Sequence, residues 1–250
     1  MPNTIFISGA AQGIGAATAQ RFLQAGWKVG AYDIAPVDYG HPNLRAGYLD
    51  VTDADSWDAA LAQFADFTGG TLTALDNNAG IITDGPLAHA DPHSVAAVID
   101  VNCRGVALGA RAAHPYLRAT KGAQLVNICS ASAIYGQRDV LVYSATKFFV
   151  KGFTEGLRLE WRKDGIRVVD VMPLWAKTGL AQVEAKSTRT LGVHITPELV
   201  ADTVFSAVTP RGPWQRGKIH YGVSAPDKLL YWARSVSPDR ISELVNRWIV

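Results

Sequence analysis

Near its start the chain sets a short apolar run, Asn3-Thr4-Ile5-Phe6-Ile7-Ser8, directly against Gly9-Ala10-Ala11-Gln12-Gly13-Ile14-Gly15, then continues into the helix-forming stretch Ala16 to Leu23. No other stretch restricts the fold as much. An apolar run rich in β-formers reads as a strand buried on both faces, the kind found in a parallel sheet. Glycines spaced G-x-x-x-G-x-G at a strand-to-helix turn allow the backbone to approach a pyrophosphate closely, while the free N–H groups of the helix terminus point at it. Gly9, Gln12, Gly13, Ile14 and Gly15 are therefore candidate dinucleotide contacts. A tight turn without a ligand is the competing reading.

The next strand, Trp27 to Tyr32, ends in Asp33. An acid about 20 residues beyond such a turn can accept both ribose hydroxyls of an adenosine and repels a 2′-phosphate. Neither Gln12 nor Ile34 offers the cation that a 2′-phosphate needs, so the pattern points to NAD(H) rather than NADP(H). Asp33 as the mere start of a solvated loop toward Pro42 is the alternative.

Strand and helix patterns then alternate along the chain. Strands are expected at 44–49, 73–76, 123–129, 167–172 and 218–221, with helices at 54–67 behind an Asp53 cap, at 94–117 and from Pro197 to about Val208. Alternation of this kind predicts an α/β fold, a doubly wound parallel sheet of about seven strands with helices on both faces. With 250 residues, 48% hydrophobic and 18% charged, and no linker or low-complexity stretch, a single domain over 1–250 is expected. Asn102 falls in the middle of the 94–117 helix, where asparagine is a mediocre choice that asks for a reason.

Tyr143-Ser144-Ala145-Thr146-Lys147 puts a phenol and an ammonium one helical turn apart on a single face. A cation near a phenol stabilises the phenolate and draws its pKa from about 10 toward neutrality, as a general acid–base requires. Alone, the pair also fits a snorkelling lysine beside a half-buried tyrosine. Ser130 follows the 123–129 strand, at the carboxyl-end edge of the sheet where ligands bind in open α/β folds.

Taken together, Ser8-Gly9-x-x-x-Gly13-Ile14-Gly15, Asp33, Asp50-Val51, Asn77-Asn78-Ala79-Gly80, Asn102, Ser130 and Tyr143-x-x-x-Lys147 resemble the short-chain dehydrogenase/reductase family, over residues 3 to about 178. The resemblance implies a Rossmann-type domain and a catalytic set of Asn102, Ser130, Tyr143 and Lys147. In that set Ser130 would bond the substrate oxygen and Tyr143 would pass the proton. Lys147 would bind the nicotinamide ribose and lower the tyrosine pKa, and Asn102 would hold a water. Asp50 and Val51 would meet adenine, Asn78, Ala79 and Gly80 the adenosine ribose, and Pro173, Ala176 and Thr178 the nicotinamide end. Leu174 stands where the family usually has glycine after Pro173, which implies a different turn or more bulk beside the nicotinamide.

The implied activity is interconversion of a secondary alcohol and a ketone. Ser130, Ser132, Ile134, Leu141, Tyr143, Leu174 and Trp175 are the expected substrate contacts, and their apolar members suggest a bulky or apolar substrate. A 3-oxoacyl thioester reductase and a non-catalytic redox sensor are the alternatives. Residues 179–196 read as a lid, and 226–250 as a helical segment for core packing or a subunit contact, then a pocket wall, with membrane-surface association disfavoured by its few basic residues mixed with Asp239 and Glu243.

A net charge of +2, without a basic patch, gives no reason to expect a nucleic-acid partner. Cys103 and Cys129 have no ligand or disulfide partner by spacing, and the six dispersed histidines make no metal pattern. No apolar run reaches about 18 residues. A cytoplasmic protein without stable membrane insertion is expected, assembled as a homodimer or homotetramer if it follows the family, with a small alcohol or ketone as its partner.

Overall fold

The structure is a computed structural model that describes residues 3–179, 183 and 185–225. Seven strands, β1 (Thr4–Ser8), β2 (Lys28–Asp33), β3 (Leu44–Tyr48), β4 (Ala74–Asn77), β5 (Gln124–Ile128), β6 (Arg167–Met172) and β7 (His220–Gly222), form one sheet in the order β3-β2-β1-β4-β5-β6-β7. Every pairing is parallel, as the expected doubly wound sheet requires. The chain order reverses between β1 and β4, so the crevice for a ligand opens beyond their carboxyl ends.

Side-chain alternation divides the core between the two faces of the sheet. Ile5 and Ile7 of β1, Val29 and Ala31 of β2 and Val126 of β5 pack with Ala19, Phe22 and Leu23 of α1 (Gly13–Gln24) and with Val200 and Val204 of α7 (Pro197–Val208). On the opposite face Phe6, Leu75, Leu125 and Val168 meet Trp57, Leu61 and Phe64 of α2 (Ala54–Thr68), Ala113 and Leu117 of α4 (Val106–Ala119) and Leu157 of α5 (Leu141–Glu160). Pro197 occupies the first turn of α7, and Asp53 caps α2 by accepting from the Asp55 N–H.

Two elements depart from the sequence pattern. The expected 94–117 helix is α3 (Pro92–Ile99), a π-helical turn at Asp100–Gly105 and α4. The expected lid contains a short helix, α6 (Lys186–Leu191), and α8 (Pro213–Gly217) precedes β7. The predicted 226–250 helical segment, and residues 180–182 and 184 of the lid, lie outside the described residues. Among those described, no helix is long and apolar enough to cross a membrane.

Candidate active site

A cleft of about 550 Å³ opens at the carboxyl ends of the central strands. Its wall includes Gly9, Gln12, Gly13, Ile14, Asp33, Ile34, Asp50, Val51, Asn78, Ala79 and Gly80, together with Ser130, Ser132, Tyr143, Lys147 and the Pro173–Ala176 segment with Thr178. Asp33 ends β2 and Ser130 follows β5, so the strand order sets them on opposite sides of the β1/β4 crevice.

On the β2 side, backbone geometry sets the shape. Gly9 and Gly13 have φ of 67° and 58°, a region closed to most side chains. A Cβ on Gly9 would come within 2.7 Å of Ala79 Cα, and one on Gly15 would run into the Gly9 carbonyl oxygen. Gly15 is thus packed behind the wall instead of lining it. Asn78 Nδ2 donates to the Ser8 and Gly9 carbonyls, both at 2.9 Å, and the Ser8 hydroxyl accepts from the Asn78 and Ala79 N–H groups at 3.1 and 3.2 Å. The turn and the end of β4 are stitched together by these four bonds. Asp33 closes the same region: its carboxylate accepts from the Ala11 N–H at 2.9 Å and the Ala35 N–H at 3.0 Å. No side chain caps the first turn of α1, so its free N–H groups are directed at the cleft.

On the β5 side, side chains converge. Ser130 is extended, and its hydroxyl bonds the Ser132 hydroxyl and accepts from the Ser132 N–H, each at 3.1 Å. Lys147 is buried, with Nζ donating to the Ile128 carbonyl at 2.8 Å and standing 5.4 Å from the Tyr143 ring centroid. Burial pushes the Tyr143 phenol up to about 12, against a hydrogen bond with Ser130 that lowers it, and the Cys129 thiol adds to the rise. This corrects the expectation that Lys147 would depress it. The protein's own groups desolvate the phenol more than they stabilise its anion, and burial also lowers the Lys147 pKa.

Asn102 sits in the π-helical turn behind Gly80, outside the cleft wall. Its Oδ1 accepts from the Ile81 N–H at 2.9 Å, while Nδ2 donates to the Ile81 carbonyl at 2.8 Å and to Thr146 Oγ1 at 3.1 Å. Thr146 Oγ1 in turn donates to the Tyr143 carbonyl at 2.7 Å. Through these bonds Asn102 ties the segment after β4 to the tyrosine's helix. The widened turn gives the mid-helix asparagine its reason.

The apolar substrate candidates divide. Leu174 and Trp175 line the cleft. Ile134 does not, because it is packed with Cys129, Val150 and Met172 in a buried cluster, and Leu141 is exposed in the first turn of α5. No described non-glycine residue has a positive φ, so Leu174 follows Pro173 without strain and adds bulk to the wall. The sequence reading missed Ile81, Ile82, Val101 and Gln137, which also line the cleft. Ile81 and Ile82 follow Gly80 directly and were within reach of that motif. Gln137, in a patternless loop, gave no signal.

The model of the short chain dehydrogenases matches residues 3–189. Trans-4-hydroxycyclohexanecarboxylate dehydrogenase of Sinomonas cyclohexanicum is 34% identical over 69% of this chain and 71% of its own length. A 2,5-dichloro-2,5-cyclohexadiene-1,4-diol dehydrogenase of Sphingobium indicum is 33% identical over 67% and 70%. Among solved structures, a short chain dehydrogenase from Burkholderia cenocepacia in complex with NADP superimposes with a TM-score of 0.84, covering 100% of this chain and 98% of its own, at 22% identity. That likeness shows the fold alone.

Proposed function

The chain belongs to the short-chain dehydrogenase family of oxidoreductases, and from that premise we propose that it interconverts a secondary alcohol and a ketone with NAD(H), using Tyr143 to carry the proton. The observation that carries this reading is the meeting of Ser130, Tyr143 and Lys147 in one cleft with the glycine turn and Asp33.

The residues present suit a dinucleotide. The positive-φ glycines and the uncapped start of α1 leave room and N–H donors for a pyrophosphate. The Asp33 carboxylate supports NAD(H), since among the described residues no cation lines the cleft beside Ile34 to offset a 2′-phosphate. Asp50, Val51 and the Asn78–Gly80 segment would flank the adenosine, and Lys147, Pro173, Ala176 and Thr178 the nicotinamide end. When bound, the nicotinamide supplies or accepts the hydride.

The protein's part is orientation and proton management. Ser130 donates to the substrate oxygen, on which negative charge develops as a ketone is reduced, and Tyr143 delivers the proton there. In the oxidative direction the phenolate withdraws it. Lys147 would hold the nicotinamide ribose, and Asn102 holds the tyrosine's helix in register through Thr146. Leu174 and Trp175 support a bulky, mainly apolar substrate. The two ring-alcohol relatives favour a cyclic one.

The test is a screen of NADH and NADPH against ketones, alcohols and oxoacyl thioesters, followed at the nicotinamide absorbance band. NADH-linked reduction of cyclic ketones is expected. Preference for NADPH would overturn the role given to Asp33, and preference for the thioesters would overturn the substrate class.

A further inference from the structure

Gln137 lies in the loop between β5 and α5, 7% exposed, and forms part of the cleft wall with Ser132, Leu174 and Trp175. Its Oε1 accepts from the Ser187 hydroxyl at 3.0 Å, and Ser187 Oγ accepts from the Trp175 indole N–H at 3.2 Å. The direction of this chain is fixed from its tryptophan end. An indole nitrogen only donates, so Ser187 must accept there and has its single proton left for Gln137. That proton requires an acceptor, so the glutamine amide is turned with its oxygen toward Ser187. Its NH2 group is left without an acceptor among the described residues.

The loop that carries this amide is braced. The Gln137 N–H donates to Ser144 Oγ at 3.3 Å, and Ser144 Oγ bonds the Ser132 carbonyl at 2.8 Å. Two residues on, the Asp139 carboxylate accepts from the Lys186 N–H at 2.8 Å, so α6 is fastened to the loop by both its first residues. A donor held this way is pre-organised, and a ligand that meets it loses little freedom in doing so.

We propose that the Gln137 NH2 group is a second binding point for the substrate, donating to an uncharged oxygen that the substrate carries in addition to its reacting alcohol or ketone. The proposal rests on the oxidoreductase reading of Ser130 and Tyr143. Charge decides the kind of oxygen. Among the described residues of the cleft wall the cation is Lys147, already bonded to the Ile128 carbonyl, and the ionisable groups besides Tyr143 and Cys129 are the acids Asp33 and Asp50. A carboxylate beside Gln137 would exchange its hydration for one neutral donor and no counter-charge, which is costly. A hydroxyl, ketone or ether oxygen is satisfied by a single N–H. The substrate class is therefore a diol, hydroxyketone or hydroxyether on an apolar frame.

Initial rates with cyclohexanol, cyclohexane-1,4-diol and trans-4-hydroxycyclohexanecarboxylate would be compared in the wild type, Gln137→Met, Ser187→Ala and Ser187→Thr. The wild type is expected to favour the diol over cyclohexanol in kcat/KM by about 5- to 25-fold, the roughly 2- to 13-fold of one well-formed neutral hydrogen bond times the statistical factor of about two for the diol's two hydroxyls. Gln137→Met should bring that ratio down to about two, the statistical factor left because either hydroxyl of the diol can react. Ser187→Ala should lower it partway by freeing the amide to turn, and Ser187→Thr should restore it. An unchanged ratio in Gln137→Met overturns the proposal, and so does a wild-type preference for the carboxylate that Gln137→Met removes.

A cofactor-free measurement separates this inference from the reading beneath it. The Gln137 side-chain amide signals, assigned by their loss in Gln137→Met or, if that variant does not fold, through the backbone, should move downfield when 15N-labelled protein is titrated with cyclohexane-1,4-diol. If no alcohol is oxidised yet these signals move, the oxidoreductase reading fails and the binding point stands. If alcohols are oxidised and the signals stay still, the binding point fails alone.

Discussion

The two ends of the cleft are built in different ways. At the glycine turn, side chains of Ser8, Asp33 and Asn78 bond to backbone groups of neighbouring segments, and the turn's shape depends on missing Cβ atoms at Gly9 and Gly15. At the other end, side chains from the segments after β5, after β6 and in α6 bond to one another: Trp175 to Ser187 to Gln137, and Ser130 to Ser132. A backbone cradle can grip any ligand with the same phosphate and ribose. A side-chain cluster can be retuned by single substitutions, so under the proposed function it is where the substrate would be selected.

The strongest way to break the first end is Gly15→Ala. Its methyl group would collide with the Gly9 carbonyl and with Asn78 Nδ2, neither of which can retreat without opening the β1–β4 stitching. We expect NADH binding to be lost and Tm to fall by more than about 10 °C, on the scale of roughly 2–4 °C per kcal/mol for a domain of this size. Calorimetry with and without NADH reads both effects, and a variant that binds NADH normally would show the turn to be looser than its packing implies.

Asp33→Asn sharpens the same end more gently. The amide oxygen can keep one of the two N–H bonds while the charge that repels a 2′-phosphate is gone. The NADH-over-NADPH ratio of kcat/KM should fall by roughly 10- to 100-fold, since like charges at close range cost up to several kcal/mol. A ratio that does not move would separate the carboxylate from cofactor choice.

The smallest effect concerns Asp76, in the sheet beneath the cradle. Its register partners are Ile7 and Val126 in an apolar layer, and both carboxyl oxygens lack partners among the described residues. Burial pushes its pKa up to about 8. The folded protein therefore holds a proton that the unfolded chain releases above about pH 4, so stability present at pH 4 drains away as pH rises toward 8. Asp76→Val should raise Tm at pH 9 and raise it by less at pH 4. An equal shift at both pH values would mean that the carboxyl is not protonated in the fold.

The same contrast explains what is legible in the amino-acid sequence. The cradle is written in short contiguous patterns whose residue types have one physical use, so residue type and spacing point to Gly9 to Gly15 and Asp33, and the family resemblance adds Asn78. The sheet is equally legible, because buried parallel strands are plain apolar runs. Gln137, Trp175 and Ser187 come together only in the fold, and no local spacing announces a chain of hydrogen bonds across three segments. Ile134 and Leu141 suggest themselves as substrate contacts through nearness in sequence to Ser130 and Tyr143. The backbone turns one into the core and the other to the surface. The Tyr143 pKa departs from expectation for a related reason: helical spacing reveals the lysine, and only the fold reveals the desolvation of both groups.

The measurement that bears most directly on the central claim is alcohol oxidation by wild type and Tyr143→Phe, followed as NADH formation from about pH 7 to pH 9 beside NADH binding to each protein. The phenolate fraction grows with pH below a pKa that burial has raised, so the wild-type kcat/KM should climb across this range. Tyr143→Phe should lose roughly 10²- to 10⁴-fold in kcat, the usual contribution of a general acid–base, while still binding NADH. A Tyr143→Phe protein that turns over at the wild-type rate, with the same climb, would contradict the account.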